Sequence, residues 1–167
     1  MDYKKIKEQV MGIEKNSLTI NNIVDEVVTS HTAELDSYID NLRDILELSQ
    51  TEITDEKLNE VILRLPIYIY YLSEIQEDMG IREDIAKTIR QDNYSRVYSE
   101  TRGTVGDKTN KAELAVQEDT LVHIIHQRMY KEIKAKAEAA DELLQSCKKI
   151  LTRRIAEIEI GTRSGGL

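Results

Sequence analysis

The chain has 167 residues, of which 32% are charged, and it carries a net charge of −8 with one Pro, one Cys and neither Phe nor Trp. This length suits one domain with its own core, and abundant Ala, Glu, Lys, Leu and Arg at helical spacing predict long helices. A single Cys excludes an internal disulfide framework, no 18-residue apolar run predicts a membrane-spanning helix, and the N-terminus lacks the apolar core of a signal peptide. A cytoplasmic protein is therefore expected.

The charge is unevenly divided along the chain. Residues 1–80 carry 7 Lys/Arg and 17 Asp/Glu, whereas residues 81–167 carry 16 and 14. Affinity for DNA comes from clustered positive charge, so the acidic first part argues against a simple DNA-coating protein. The second part still allows a local basic surface.

The first predicted elements are two helices. A short one is predicted for Tyr3–Met11, ended by Gly12, and an acidic one from Thr19 to about Leu48. Alternating steps of four and three in the second helix are typical of a coiled-coil seam. The seam residues are Val24, Val28, His31, Leu35, Tyr38, Leu42 and Ile45. The pattern in residues 1–50 thus predicts an acidic, coiled-coil-like helix. Its acidic face either is solvated or docks a basic partner.

Residues 55–107 predict two further helices. Thr51 or Thr54 is expected to cap the first, Pro66 to kink it and Gly80 to end it. The apolar run 67–72 is expected to form a buried helical turn.

The helix predicted from Arg82 to Thr101 carries a basic stripe with tyrosines at steps of four, which keep side chains on one face. Residues 87–111 hold 6 Lys/Arg and 3 Asp/Glu. Single-stranded nucleic acid is held by positive charge along its backbone and by rings that stack on its bases. The candidate nucleic-acid contacts are Lys87, Arg90, Tyr94, Arg96, Tyr98, Arg102, Lys108 and Lys111. Alternatively, the tyrosines pack on the next helix and the arginines are solvated.

A long helix is predicted for residues 108–160, which lack Gly and Pro, with a break near Asp119 as an option. It follows the turn 103–109, where Gly is expected at positive φ. Asp107 or Thr109 is expected to cap the start of the long helix. The tail 161–167 is expected to be disordered. The apolar stripe predicts an oligomer interface made by Ile133, Ala137, Ala140, Leu144, Cys147 and Leu151. Near the end of this helix lies a basic cluster of Lys148, Lys149, Arg153 and Arg154. Its positive charge either interacts favourably with the C-terminal end of the helix dipole or binds a phosphate or an acidic partner.

No catalytic, metal or cofactor chemistry is expected. The Gly-containing turn lacks P-loop spacing, because Asp107 interrupts the required Gly-Lys step. His123, His126 and Asp119 could supply only part of a metal site, because the Glu–His pair of bundle metal proteins is missing. Cys147 has no base placed beside it by the sequence.

Residues 85–160 resemble, in order and character, the UvsY-type phage recombination mediators. The likeness consists of a basic helix (IAKTIRQDNYSRVYSE), a turn (TRGTVGDKTNKAE) and a long amphipathic helix (LVHIIHQRMYKEIKAKAEAADELLQSCKKILTRRIAE). It implies a helical, ring-like oligomer, assembled through its C-terminal helices, that binds single-stranded DNA, loosens the single-strand-binding protein and helps load a RecA-like recombinase. By position, Lys87, Arg90, Tyr94, Arg96 and Tyr98 would contact the DNA. The overall acidity and the acidic N-terminal helix depart from the family.

The sequence thus predicts one all-α domain, a helical bundle of three shorter helices packed on one very long C-terminal helix, which forms a homo-oligomer. The expected function is that of a non-enzymatic, single-stranded-DNA-binding recombination mediator, with a RecA-like recombinase and a single-strand-binding protein as partners. The alternative is a structural or adaptor coiled-coil protein that acts through protein contacts without nucleic acid.

Overall fold

A computed structural model of the chain describes residues 3–46 and 53–164, with side chains described for residues 17–43 and 53–162. The described residues form four helices and no strand, which confirms the all-α class. The helices are α1 (Tyr3–Leu46), α2 (Asp55–Glu100), α3 (Val105–Ala115) and α4 (Gln117–Ser164). Three of them have similar lengths of 44, 46 and 48 residues and α3 has 11. This differs from the prediction of three shorter helices on one very long helix.

Two glycines that predict helix ends lie inside helices. Gly12 lies within α1 and Gly80 within α2, so the predicted short helix Tyr3–Met11 and the predicted break after Asp78 are wrong. A glycine in a helix interior costs about 1 kcal/mol relative to Ala, which the helix-forming residues on either side outweigh. A Cβ at Gly80 would lie 3.4 Å from the Tyr130 ring, so this glycine lets that ring lie close against α2. The helix also continues through Pro66; the kink there stays a prediction.

The start of α2 agrees with the sequence, whereas the start of α3 corrects it. The Thr54 hydroxyl accepts from the Lys57 N–H at 3.2 Å, while Thr51 lies outside the described residues. At α3 the N-cap is Thr104, whose hydroxyl accepts from the Asp107 N–H, and the Asp107 carboxylate accepts from the Thr104 N–H at 3.1 Å. Asp107 is thus the third helical residue of a capping box, not the cap.

The Gly-containing turn uses one glycine at positive φ. Gly103 has φ 136°, a conformation that L side chains rarely adopt, and Gly106 lies inside α3.

The helix predicted from Lys108 is divided in two by Val116, shortly before the optional break near Asp119. The Val116 N–H donates to Ala112 O at 3.2 Å, and the Thr120 hydroxyl donates back to Val116 O at 2.7 Å. At the other end α4 continues through Gly161 to Ser164, so this part of the predicted disordered tail is helical. Residues 165–167 lie outside the described residues. Among the residues described, none of the helices combines the length and apolar character that a bilayer crossing requires.

The contacts group the chain into two compact units, each built from parts of α1, α2 and α4. The first unit comprises Met1–Ser30 and Gln76–Glu132, and the second comprises His31–Ile75 and Ile133–Leu167.

The first unit, which includes all of α3, has a core of small and flexible apolar residues. Its buried members among the described side chains are Val24, Val28, Met79, Ala86, Ala112, Val116 and Met129. Hydrogen bonds between side chains of different helices accompany this core. For example, the Arg128 guanidinium on α4 donates to Asn21 Oδ1 on α1 at 3.0 Å.

Among the described side chains, the second unit buries more apolar residues than the first. Its buried apolar side chains are Leu35, Tyr38, Leu42, Ile53, Leu58, Val61, Leu65, Leu72, Ile133, Ala137, Ala140, Leu144 and Cys147. The predicted seam is corrected at one position, because His31 is exposed and Thr32 is buried in its place. The side chain of Ile45 lies outside the described side chains. In the run 67–72, predicted to be a buried turn, only Leu72 is fully buried.

Thr32 is a buried polar residue whose hydroxyl is fully engaged. It donates to Asp36 Oδ2 at 2.7 Å and accepts from Lys136 Nζ at 2.8 Å, and Lys136 also pairs with Asp36. Burial raises the pKa of the Asp36 carboxyl, but the hydrogen bonds from Lys136 and Thr32 outweigh it, so the pKa lies below its usual value. The polar group at the seam is therefore satisfied rather than costly.

Candidate nucleic-acid interface

The last turns of α2, in the first unit, hold two tyrosines that stack on each other. The Tyr94 and Tyr98 ring centroids are 6.1 Å apart and the ring planes differ by 17°. Both side chains are half-buried, which follows from their spacing of four along a helix with one buried face. Lys108 Nζ of α3 lies 5.8 Å from the Tyr98 ring centroid, within the range of a cation–π contact. We call Tyr94, Tyr98 and Lys108 the tyrosine cluster.

Arg90, one turn before Tyr94, is used within the fold. Its Nε donates to Thr120 Oγ1 at 2.8 Å, and the Asn93 amide donates to Asp119 Oδ2 at 2.8 Å. The two bonds join α2 to the first turn of α4. Arg90 is also half-buried, so we assign it to holding these helices together rather than to a ligand.

Arg96 and Arg102 do not share the face of the tyrosines. Arg96 lies two residues from each ring, which is about 200° around a helix of 3.6 residues per turn, and its guanidinium donates to Asn93 Oδ1 at 3.0 Å. Arg102 lies in the turn after α2, which ends at Glu100. Of the predicted contacts from Arg90 to Arg102, only Arg90, Tyr94 and Tyr98 therefore lie on one face of α2.

Two predicted lysines remain exposed near the cluster in sequence. Lys87 lies seven residues before Tyr94, two turns along the same face of α2, and Lys111 lies on α3. Lys111 also contributes to lowering the pKa of Asp107, although the hydrogen bonds from Thr104 are the larger cause. Both lysine side chains are exposed on the surface of the first unit.

The residues predicted to form an oligomer interface lie in the core of the second unit. Leu151 is half-buried. The other five are buried by the chain itself: Ile133, Ala137, Ala140, Leu144 and Cys147. We therefore assign these side chains to intrachain packing rather than to contact with a second copy.

The basic cluster near the end of α4 is partly explained by local contacts. Arg154 Nη1 donates to Asp55 Oδ1 and to Ile53 O, each at 2.6 Å, which fixes α4 against the start of α2. Arg153 donates to Glu157 Oε1 at 2.8 Å within α4, and Lys148 and Lys149 are exposed.

The histidines and the cysteine have structural surroundings. His123 Nε2 lies 3.2 Å from Glu83 Oε1, and His126 Nδ1 is buried without a hydrogen-bond partner among the described residues. Burial lowers the pKa of His126, as do the nearby Arg82 and His123. Cys147 is buried, which raises the pKa of its thiol and makes it a poor nucleophile. Within the described ranges, no group of three or more His, Cys, Asp or Glu side chains is placed to hold a metal ion.

Sequence reasoning missed the exposed apolar residues of α2. In the second unit these are Leu63, Ile67, Tyr70 and Tyr71, and in the first unit Ile81, Ile85 and Ile89. Their signal is present in the sequence, because α2 carries apolar residues on more than one helical face and a single buried face cannot hold them all.

The fold and this site define an all-α protein with a small aromatic and basic surface in its first unit. A comparison of the chain with protein-family models, with curated proteins and with solved structures found no match.

Proposed function

We propose that the protein is a non-enzymatic recombination mediator that binds single-stranded DNA at the tyrosine cluster, acts as a homo-oligomer and helps load a RecA-like recombinase. The observation that carries this proposal is the stacked, half-exposed pair of Tyr94 and Tyr98 with Lys108 against it. The order of segments in residues 85–160, which resembles the UvsY-type mediators, supports the same function.

The chemistry of the cluster suits a single strand. Ring faces stack on any base and tolerate any sequence, and the Lys108, Lys87 and Lys111 ammonium groups would neutralise phosphates. One copy offers few contacts, so binding by several linked copies would raise the overall affinity without any new type of contact. A strand held this way would be drawn from its binding protein and presented to the recombinase.

The test is fluorescence anisotropy with a labelled oligo-dT of about thirty nucleotides, long enough for several binding sites. The test variant is Tyr94→Leu/Tyr98→Leu, and the matched control is Tyr70→Leu/Tyr71→Leu, which removes an exposed tyrosine pair from the same helix. Loss of stacking costs about 1–3 kcal/mol per base, so we expect the Kd to rise at least about tenfold in the test variant only. Circular dichroism and light scattering on the same samples check folding and assembly.

Charge variants sharpen the same test. Lys108→Gln should weaken binding and reduce its salt dependence, because one phosphate contact is lost. Arg90→Gln should leave the affinity unchanged while lowering stability, since its guanidinium is used within the fold. If wild-type protein fails to bind at low salt, or if both tyrosine pairs prove equally dispensable, the DNA-binding proposal is wrong.

A second candidate is an adaptor protein that acts through protein contacts without nucleic acid. The exposed apolar residues of α2 favour it, because large apolar groups clustered on a surface mark interaction sites. Salt separates the two functions: DNA binding should weaken steeply between low and moderate salt, whereas an apolar protein contact should persist.

A further inference from the structure

The outer face of α2 in the second unit carries four large apolar side chains within two turns. Leu63 is 73% exposed, Ile67 55%, Tyr70 61% and Tyr71 59%. Their spacing of four, seven and eight residues places them on one side of the helix. We call these four residues the α2 ridge.

The ridge is additional to the face that α2 already buries. Leu58, Val61, Leu65 and Leu72 of the same helix are covered, each with at most 2% of its surface exposed. Single exposed apolar residues are ordinary on protein surfaces, but four adjacent ones form a contiguous patch, which marks an interaction site. Tyrosine is moreover one of the residues that most often carry binding energy in protein interfaces.

Carboxylates lie at both ends of the ridge. Glu56 lies two turns before Leu63 on the same face, and Glu74 follows Tyr70 by four residues and hydrogen-bonds its hydroxyl. Glu60 is already paired with Lys57 and Arg64. In the described parts of α1 and α2 in this unit, residues 31–43 and 53–75, Asp36 and Asp55 are likewise paired with Lys136 and Arg154 of α4. The carboxylates that remain for a partner are Glu34, Asp40, Glu56 and Glu74. A docking partner must therefore bring positive charge beside its apolar contacts.

A groove between α1 and α2 adjoins the ridge. Its volume is about 450 Å³, and α2 lines it with Arg64 and Tyr68, the sequence neighbours of Leu63 and Ile67. From α1 come Glu34 and Tyr38, and the Tyr38 ring stacks on Tyr68 with centroids 5.1 Å apart. A ridge beside a groove is the surface on which an amphipathic helix is recognised.

A second copy of the ridge is a poor occupant. A parallel pair of ridges would place Glu74 of one copy opposite Glu74 of the other. Like charges in these positions oppose association. The surface is also unsuited to DNA, whose phosphates would meet the same carboxylates.

We propose that the α2 ridge and its adjoining groove are a docking surface for an amphipathic helix of a partner protein, which has an apolar stripe flanked by Lys and Arg. The apolar stripe covers Ile67 and Tyr71, and the flanking cations approach Glu56, Glu74 and Glu34. This site lies in the second unit and does not depend on the tyrosine cluster of the first, so protein docking and DNA binding can succeed or fail separately.

The test uses a fluorescein-labelled synthetic peptide of about eighteen residues, five helical turns, with Leu at helical spacing and Lys on both flanks. Two comparison peptides carry Glu in place of Lys, or the same composition with the Leu residues scattered. We expect the first peptide to bind the full chain best. Ile67→Ser/Tyr71→Ser should raise its Kd at least tenfold, while the matched control Ile85→Ser/Ile89→Ser, on the same helix in the first unit, should leave it unchanged. Glu56→Gln/Glu74→Gln should lower the affinity for the first peptide and make that affinity less dependent on salt.

Three outcomes would overturn the proposal. The first is that wild-type protein binds none of the peptides, the second that the Glu peptide binds as well as the Lys peptide, and the third that the two Ser variants bind equally well. Light scattering identifies the alternative occupant, because self-association lost only in Ile67→Ser/Tyr71→Ser would assign the ridge to a second copy instead. Oligo-dT binding retained by that variant would show that its DNA-binding surface is intact.

Discussion

The two units differ in how many apolar side chains their helices bury. Among the described residues, thirteen buried apolar side chains belong to the second unit and seven to the first, so apolar burial is concentrated in the second. Side-chain hydrogen bonds between sequence-distant residues join the helices in both units. In the first unit they pair Arg90 with Thr120, Asn93 with Asp119, His123 with Glu83 and Arg128 with Asn21. In the second unit they pair Lys136 with Thr32 and Asp36, and Arg154 with Ile53 and Asp55.

The difference indicates a division of roles between stability and surface chemistry. Burial of apolar area is the dominant favourable term in folding, whereas a single hydrogen bond contributes only about 0.5–1.5 kcal/mol net. The second unit should therefore supply more of the stability. In the first unit Asn93, the sequence neighbour of Tyr94, joins α2 to α4 through its hydrogen bond to Asp119, at a smaller energetic gain.

The largest effect is expected from truncating a core leucine of the second unit. Leu65 is 0% exposed and Leu63, two residues earlier on α2, is 73% exposed. Leu65→Ala should lower the free energy of unfolding by about 2–5 kcal/mol, because it removes buried methyl groups and leaves a cavity. Leu63→Ala should change it by less than about 0.5 kcal/mol. Urea denaturation followed by circular dichroism measures both, and equal losses would show that the outer face of α2 is covered.

A smaller effect is expected at the start of α3 in the first unit. Thr104→Ala removes the hydroxyl that caps the helix and should cost about 1 kcal/mol. The control is Thr109→Ala, since Thr109 lies inside α3 and is, with Asp107, one of the two caps that the sequence predicts. Denaturation midpoints compare the two variants. A larger loss at Thr109 would contradict the capping box at Thr104.

The α3 cap shows what local sequence could establish and where it failed. Helical class, the Thr54 cap and the glycine at positive φ followed from short-range chemistry, and all agree with the structure. The cap at Thr104 was missed because Asp107 and Thr109 are equally good capping residues by type. Only the backbone path, with Gly103 ending the turn, selects Thr104.

The roles of the candidate site residues could not be predicted from the local sequence, because they depend on contacts between sequence-distant residues. The spacing of four residues predicts that Arg90 and Tyr94 lie on one face of a helix, and both residues do lie in α2. However, the bond from Arg90 to Thr120 spans 30 residues, so its structural use could not be read from the stripe. Similarly, the stripe from Ile133 to Cys147 fits an oligomer or an intrachain core equally well, and only the position of other helices buries it within the chain.

The smallest effect concerns the pH dependence of stability and His126, a half-buried histidine of the first unit. Burial lowers the pKa of His126 below its ordinary value of about 6.5, as do Arg82 and His123. The fold therefore favours neutral His126, and the stability that this provides is present above pH 6.5 and lost as the pH falls through the lowered pKa. We expect wild-type protein to lose more stability between pH 7.5 and pH 5.5 than His126→Gln, in urea denaturation at both pH values. The matched control for removal of a histidine is His31→Gln, which replaces an exposed histidine of α1. A pH slope that His126→Gln leaves unchanged would show that His126 does not control the response of the stability to acid.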